Sequence, residues 1–213
     1  MAQDFLDHAN AESDLLDSNP NVTLENTQIV LITMIEGEFS VHSIDSIDNP
    51  DAALPNGLFS LETINEINAA FDALVNVFVP QTIDPLEEFS EFLAAGLQDF
   101  NIAPPVEMAS PLDLIIYRPT KIVFHLHYAS WYFAEARVRL KEGTPIGVFS
   151  DLEWVGTSQK TFSVIDSCSD ATKPGESVEH PYAMYVVVAQ MGGIEPQETV
   201  MIIDPKVENN GGG

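Results

Sequence analysis

The chain has 213 residues, 33 Asp and Glu against 8 Lys and Arg, a formal charge of −25, and 45% hydrophobic residues. That apolar share is too high for a disordered chain, and the length suits a single domain with a self-sufficient core. The acidity excludes direct binding to nucleic acid or anionic lipid, where phosphates demand cations, and the lone Cys168 excludes an internal disulfide or a cysteine-based zinc cluster.

No apolar run approaches the roughly 20 residues that span a bilayer. The opening Met1-Ala2-Gln3-Asp4-Phe5-Leu6-Asp7 is acidic where a secretory signal is basic. A cytoplasmic location is expected, or export by a route without an N-terminal signal peptide.

Residues 1–20 read as an acidic tail with a short amphipathic stretch around Phe5, Leu6, Leu15 and Leu16, ended by Asn19-Pro20. Residues 27–35 are β-branched and almost continuously apolar, the composition of a strand covered on both faces. A second strand is expected over 36–44. The period then changes: Leu61, Ile64, Ile67, Phe71, Leu74, Val75 and Phe78 recur at threes and fours behind the N-cap Ser60, and Pro80 stops the helix. Asp84-Pro85-Leu86-Glu87 opens a second helix, striped by Leu86, Phe89, Leu93 and Leu97. Residues 60–100 are therefore predicted as a helical hairpin.

From residue 111 the period is two. Strands are expected over 112–117, 121–128, 133–141, 146–149, 152–155, 161–165, 182–190 and 199–203. In 133–141 the alternation puts Ala134, Ala136, Val138 and Leu140 on one face and Glu135, Arg137, Arg139 and Lys141 on the other. The spacing predicts an α+β fold: an antiparallel β-sandwich, immunoglobulin-like or jelly-roll-like, with an inserted helical hairpin. Its parts are the tail 1–20, one domain over 21–207, and a flexible end over 208–213.

Charge is divided unevenly along this chain. Residues 1–117 hold 21 acids and no Lys or Arg, whereas residues 118–213 hold 12 acids and all 8 bases. Early carboxylates must face water, bind cations, or meet bases from the second half or another molecule. The outward faces of two strands taken as adjacent would gather Lys121, His125, His127, Arg137, Arg139 and Lys141 into a basic stripe. The plainer view of that stripe is a solvated sheet face with local counter-charges. The sharper view is complementarity between copies, or covering of the stripe by the acidic first half of the same chain, with Lys121, Arg137, Arg139, Lys141 and the tail residues Phe5, Leu6, Leu15 and Leu16 as contacts.

His125 and His127, two apart on a strand, project from one face and would suit one metal ion, with His42 and His180 as conceivable partners in space. No carboxylate or third His stands at a spacing that requires this, so no metal is assigned. Asp45, Asp48, Asn49 and Asp51 have the composition of a weak calcium site without its alternate spacing, or simply that of an Asx-rich turn. Cys168 sits among acids, which blunt a thiol. With no nucleophile motif and no phosphate-cradling loop, no catalytic residue or cofactor is nominated.

The expected function is that of a non-enzymatic structural or interaction protein. It would be a homo-oligomer, or bind a basic protein through its acidic half. The alternatives are a small-ligand, sugar or metal-binding module using the His125/His127 face with Trp131-Tyr132, and an acidic nucleic-acid mimic.

Overall fold

The computed structural model describes residues 21–103, 112–141, 144–145, 147–171, 173, 175–190 and 197–211. The tail contacts Phe5, Leu6, Leu15 and Leu16 lie outside them. The described residues form β1 (Asn26–Ile35), β2 (Glu38–Asp45), α1 (Leu61–Val77), α2 (Pro85–Gly96), β3 (Leu114–Ile116), β4 (Thr120–Leu126) and β5 (Trp131–Leu140). Then come β6 (Phe149–Trp154), β7 (Thr161–Asp166), β8 (Ser177–Gln190), β9 (Gln197–Ile203) and β10 (Lys206–Asn210). This is a mixed α+β fold.

Sheet 1 runs β2-β1-β4-β7-β6 and sheet 2 runs β3-β10-β8-β5, with β9 also paired to β8. The two sheets face each other across one apolar layer that includes Val30, Ile32, Phe124 and Phe162 from sheet 1 and Phe133, Met184 and Val186 from sheet 2. The opposite face of sheet 1 presents Ile29, Leu31, Ile44 and Val123 to Ile64, Ile67 and Phe71 of α1 and Phe89 and Leu93 of α2. Sheet 1 is thus the middle of three layers. That explains the unbroken apolar run of β1, since alternation disappears when both faces are buried. A third apolar cluster, Ala134, Ala136, Ala183, Tyr185 and Val187, lies on the other face of sheet 2.

The helices begin where side-chain chemistry starts them. Ser60 Oγ accepts from Thr63 N at 3.0 Å, and Asp84 Oδ1 accepts from Glu87 N at 3.1 Å ahead of Pro85. The carboxylate that reaches back is Glu88 rather than Glu87: its Oε2 accepts from Gln81 N and Thr82 N, both at 2.8 Å. Gly96 permits close approach of α1 and α2, because a Cβ there would stand 2.5 Å from Leu74 Cδ2. β1 turns into β2 through Glu36 and Gly37, both at positive φ (52° and 92°), the backbone a two-residue hairpin demands.

Three expectations need correction. The sheets are not wholly antiparallel, since β1 pairs with β4, and β3 with β10, in parallel. Residues 208–210, expected to be flexible, belong to β10, where Asn209 is fully buried. The alternation along β5 does not hold either. Its register against β8 shifts between Phe133 and Val138, and Arg137 takes φ 52°. This bulge inserts extra residues, so Phe133 and Val138 both face sheet 1 while Ala134 and Ala136 face away.

Candidate functional site

A polar row runs beside the apolar stripe of α1. Asn68, Asp72 and Asn76 recur every four residues and share the border of the face that packs on sheet 1. Under that border lie His125 of β4 and His127, just past the strand's end. Asp72 Oδ1 lies 2.7 Å from His125 Nε2 and 2.7 Å from His127 Nδ1. The outer nitrogens are also engaged: His125 Nδ1 meets Thr161 Oγ1 at 2.7 Å, and His127 Nε2 meets Asn76 Oδ1 at 3.1 Å. One carboxylate therefore fixes two imidazoles and ties the helical layer to the middle sheet.

Burial opposes ionisation of Asp72. The hydrogen bonds and charge of His125 and His127 outweigh it, holding the carboxyl well below the usual carboxylate range. Lys160 adds positive potential nearby, although its own burial lowers its pKa; its ammonium donates to Tyr128 O at 2.8 Å and to Trp131 O.

His125 is buried, whereas His127 opens onto a cleft of about 330 Å³ between the β1–β2 turn and the end of α1. Glu36, Asn76, Phe78 and Tyr128 contribute to its walls. Thr161 is the hydroxyl beside an imidazole, but at 4% exposure it is closed to a substrate. The cluster presents His127 and Tyr128 to the cleft. It brings no accessible nucleophile to either histidine among the described residues.

Replacing Asp72 by alanine should leave His125 Nε2 buried without an acceptor and lower stability by about 1–3 kcal/mol in urea unfolding. Because Asp72 titrates below its unfolded value, this contribution is present above the ordinary carboxylate range. It is lost as pH falls through it, so the gap to wild type should narrow in acid. An equal gap at neutral and strongly acidic pH would contradict the assignment.

The other expected sites are separated. β4 and β5 lie in different sheets, so Lys121, His125 and His127 do not form one stripe with Arg137, Arg139 and Lys141. Lys121 shares the helix-facing side of β4 with the histidines. Arg137 turns inward at the β5 bulge: its Nη1 donates to Leu152 O at 3.3 Å and its guanidinium lies 4.8 Å from the centre of the Trp154 ring. Arg139 is exposed, and Lys141 pairs with Asp204 at 3.2 Å. His42 packs against Phe89 under α2, with Ser40 Oγ 3.1 Å from its Nε2, and His180 meets Asp170 at 2.6 Å in the inter-sheet layer. Neither joins His125 and His127. Among the described residues no group of three or more His, Cys, Asp or Glu is arranged to hold a metal ion.

Trp131 and Tyr132 do not form one aromatic platform. Trp131 packs on the inter-sheet core and Tyr132 on the opposite face, where its hydroxyl donates to Glu198 at 2.6 Å. The aromatic rings that line the His127 cleft are Phe78 and Tyr128. In the Asx loop, Asn49 Oδ1 accepts from Asn101 N at 2.6 Å and its amide donates to Asp45 O, so the side chain serves a turn. Burial first, and then Asp166 and Asp170, push the Cys168 thiol up to about 11. It is not a thiolate nucleophile at neutral pH.

Asp72 and Asn76 went unnoticed in the sequence, although the row 68/72/76 was a signal: polar residues at period four beside an apolar stripe. No family model matches the chain, and no curated protein matches it.

Proposed function

We propose that the protein is a non-enzymatic interaction protein that self-assembles, or holds a basic partner surface, through its acidic first half. The observation that carries this reading is the outer face of the helical layer. Glu62, Glu66, Glu87, Glu91 and Asp99 are exposed there with no ion-pair partner among the described residues. Among the described early acids, Asp72 is tied to two histidines of the second half, and Asp113 accepts from Lys206 N at 2.9 Å and lends its charge to that lysine. The lysine ion pairs, Lys141 with Asp204 and Lys206 with Glu179, hold acids of the second half instead.

Apolar groups flank these charges. Val77, Val79 and Ile83 at the hairpin tip are 67%, 68% and 104% exposed. Charge would set orientation and encounter rate, and burial of these side chains would supply the affinity.

Light scattering at low and high ionic strength tests the reading. An assembly or complex that dissociates with salt is expected, and it should weaken when Glu62, Glu66, Glu87 and Glu91 are changed to Gln. Deleting residues 1–20 should weaken it further. A protein that stays monomeric at both ionic strengths, and captures no basic protein at either, would overturn the proposal.

A second reading has one observation in its favour, the cleft onto which His127 and Tyr128 open. It is a module for a small ligand. Tyr128 lies 5.1 Å from Trp131, ring centre to ring centre, so ligand binding there would alter tryptophan fluorescence. Unchanged emission across a panel of sugars and carboxylic acids would count against it.

A further inference from the structure

The two sheets are joined at one place by buried polar side chains. Asp166 ends β7 in sheet 1 and Asn209 stands on β10 in sheet 2, each fully buried. Asn209 Nδ2 donates to Asp166 Oδ1 at 3.2 Å and to Asp170 Oδ1 at 3.1 Å, so one amide spans two acids. Asp170 follows β7 in the chain, and its Oδ2 lies 2.6 Å from Nε2 of the buried His180 on β8. β7, β8 and β10 therefore converge on one polar cluster.

The donors of this cluster fall short of its acceptors. Asp166 Oδ1 takes two, from Asn209 Nδ2 and from Cys168 N at 2.8 Å. Asp166 Oδ2 and Asn209 Oδ1 have no hydrogen-bond partner among the described residues. An ionised carboxylate sealed from solvent with one oxygen bare is costly, since nothing offsets the charge it carries. A proton on Asp166 removes the charge and turns a bare acceptor into a donor. Asn209 Oδ1, on a side chain that Asp166 already bonds, is an acceptor in want of one. Burial raises this carboxyl to about 7, against the two hydrogen bonds on Oδ1 and with help from the Asp170 charge. A metal ion fits less well, because Asn209 turns its amide nitrogen toward the two acids.

We propose that the neutral Asp166 acid and the Asn209 amide form a proton-operated latch. Protonated, it holds β10 against sheet 1; ionised, it lets that strand open while the rest of the sandwich stays folded. β10 is short, lies between β3 and β8, and sends Val207 and Asn209 inward, so its docking rests on few side chains. The ionisable groups around Asp166 are Asp170 and Cys168 after β7 and His180 of β8. Its register partners on β4 and β6 are Thr120 and Phe149, which carry no charge. Burial first, and then the two acids, push the Cys168 thiol up to about 11, so it stays neutral throughout. The docked form keeps its proton to about 7, and the open form gives it up near 3.8. Docking is therefore strongest below 3.8 and weakens as pH rises to about 7. The latch is separate from the helical face invoked above and does not depend on it.

Amide hydrogen exchange of the full chain, corrected for intrinsic rates, tests the latch at about pH 5 and about pH 7.5. Protection of the β10 amides should fall by about tenfold or more from the lower pH to the higher, while amides of β1 and β4 change far less. Asp166→Asn should hold β10 protection constant across the same range. Should that variant fold poorly, the side-chain carboxyl carbon of Asp166 in the wild type reports the proton by NMR, and it should titrate near neutrality. The latch is overturned if β10 protection is equal at both pH values, if β1 and β4 lose as much, or if Asp166→Asn keeps the loss. An Asp166 carbon that titrates in the ordinary carboxylate range would also overturn it. So would calcium chloride that restores β10 protection at the higher pH, which would assign the cluster to a cation.

Discussion

Phe162→Ala should lower the unfolding free energy by about 3–5 kcal/mol, the largest loss expected from any single substitution here. The ring is fully buried near the start of β7. It stacks on Phe124 at 5.0 Å and meets Phe133 edge-on at 4.8 Å and Trp154 at 6.5 Å, centre to centre. Phe124 and Trp154 are its register neighbours on β4 and β6, while Phe133 comes from sheet 2. Removing it opens a hole that touches three strands of one sheet and the sheet opposite, where rigid neighbours cannot collapse inward. Domains are typically stable by about 5–15 kcal/mol, so such a variant would lose much of its margin. Urea unfolding reads the effect, with Ile83→Ala on the exposed hairpin tip as a control expected within about 0.5 kcal/mol of wild type. A loss below about 1 kcal/mol for Phe162→Ala would contradict the packing described.

The second large effect depends on pH. Asp166 is fully buried at the end of β7, where its Oδ1 accepts from Cys168 N at 2.8 Å and Asn209 Nδ2 at 3.2 Å. Burial pushes its carboxyl up to about 7, with Asp170 adding to the rise and the two hydrogen bonds opposing it. The folded state therefore keeps a proton that the unfolded chain gives up near 3.8. Stability from this group is complete below that value and is lost as pH rises to about 7.

His42 works in the opposite sense. Burial lowers it from 6.5 to about 4, so its contribution is complete above 6.5 and is lost as pH falls to about 4. Each limb is worth on the order of 3 kcal/mol, and they overlap, so the wild-type profile is flattened by cancellation. Asp166→Asn should expose the His42 limb, with stability rising between about pH 5 and 6.5 and a gain over wild type that grows toward pH 8. His42→Phe should expose the falling limb. Urea midpoints across this range decide the matter, and profiles parallel to wild type for both variants would refute it.

Local chemistry made much of this fold legible. Ser60, Asp84 and Pro85 start helices in any context, and the stripe from Ile64 to Phe71 identified the buried side of α1. The run Thr27–Ile35 announced a strand buried twice. Alternation could not assign strands to sheets, because Ile122 and Phe124 have the same spacing whichever strand lies beside β4. It also could not foresee the β5 bulge, which returns Val138 to the side of Phe133. β10 was hidden by its composition: Glu208, Asn209 and Asn210 are poor strand formers alone, and they are held by β3 and β8 on either side.

The candidate sites show the same division. His125 and His127 were visible as a pair, but the acid that unites them lies on α1, far away in the chain. Asp166 and Asn209 meet across the two sheets, a contact set by long-range strand packing and by no local pattern.

The parallel β1–β4 pairing has a kinetic consequence. Gln28 cannot meet Ile122 until both helices and β3 have been made, and β10 enters between β3 and β8 only after the intervening strands β4 to β9 have been made. Until β4 arrives, β1 has an unfilled hydrogen-bonding edge and apolar surface, the condition under which nascent chains stick to one another. Such long-range closure favours slow refolding, and the dense negative charge of the early residues keeps these half-built chains apart while they wait.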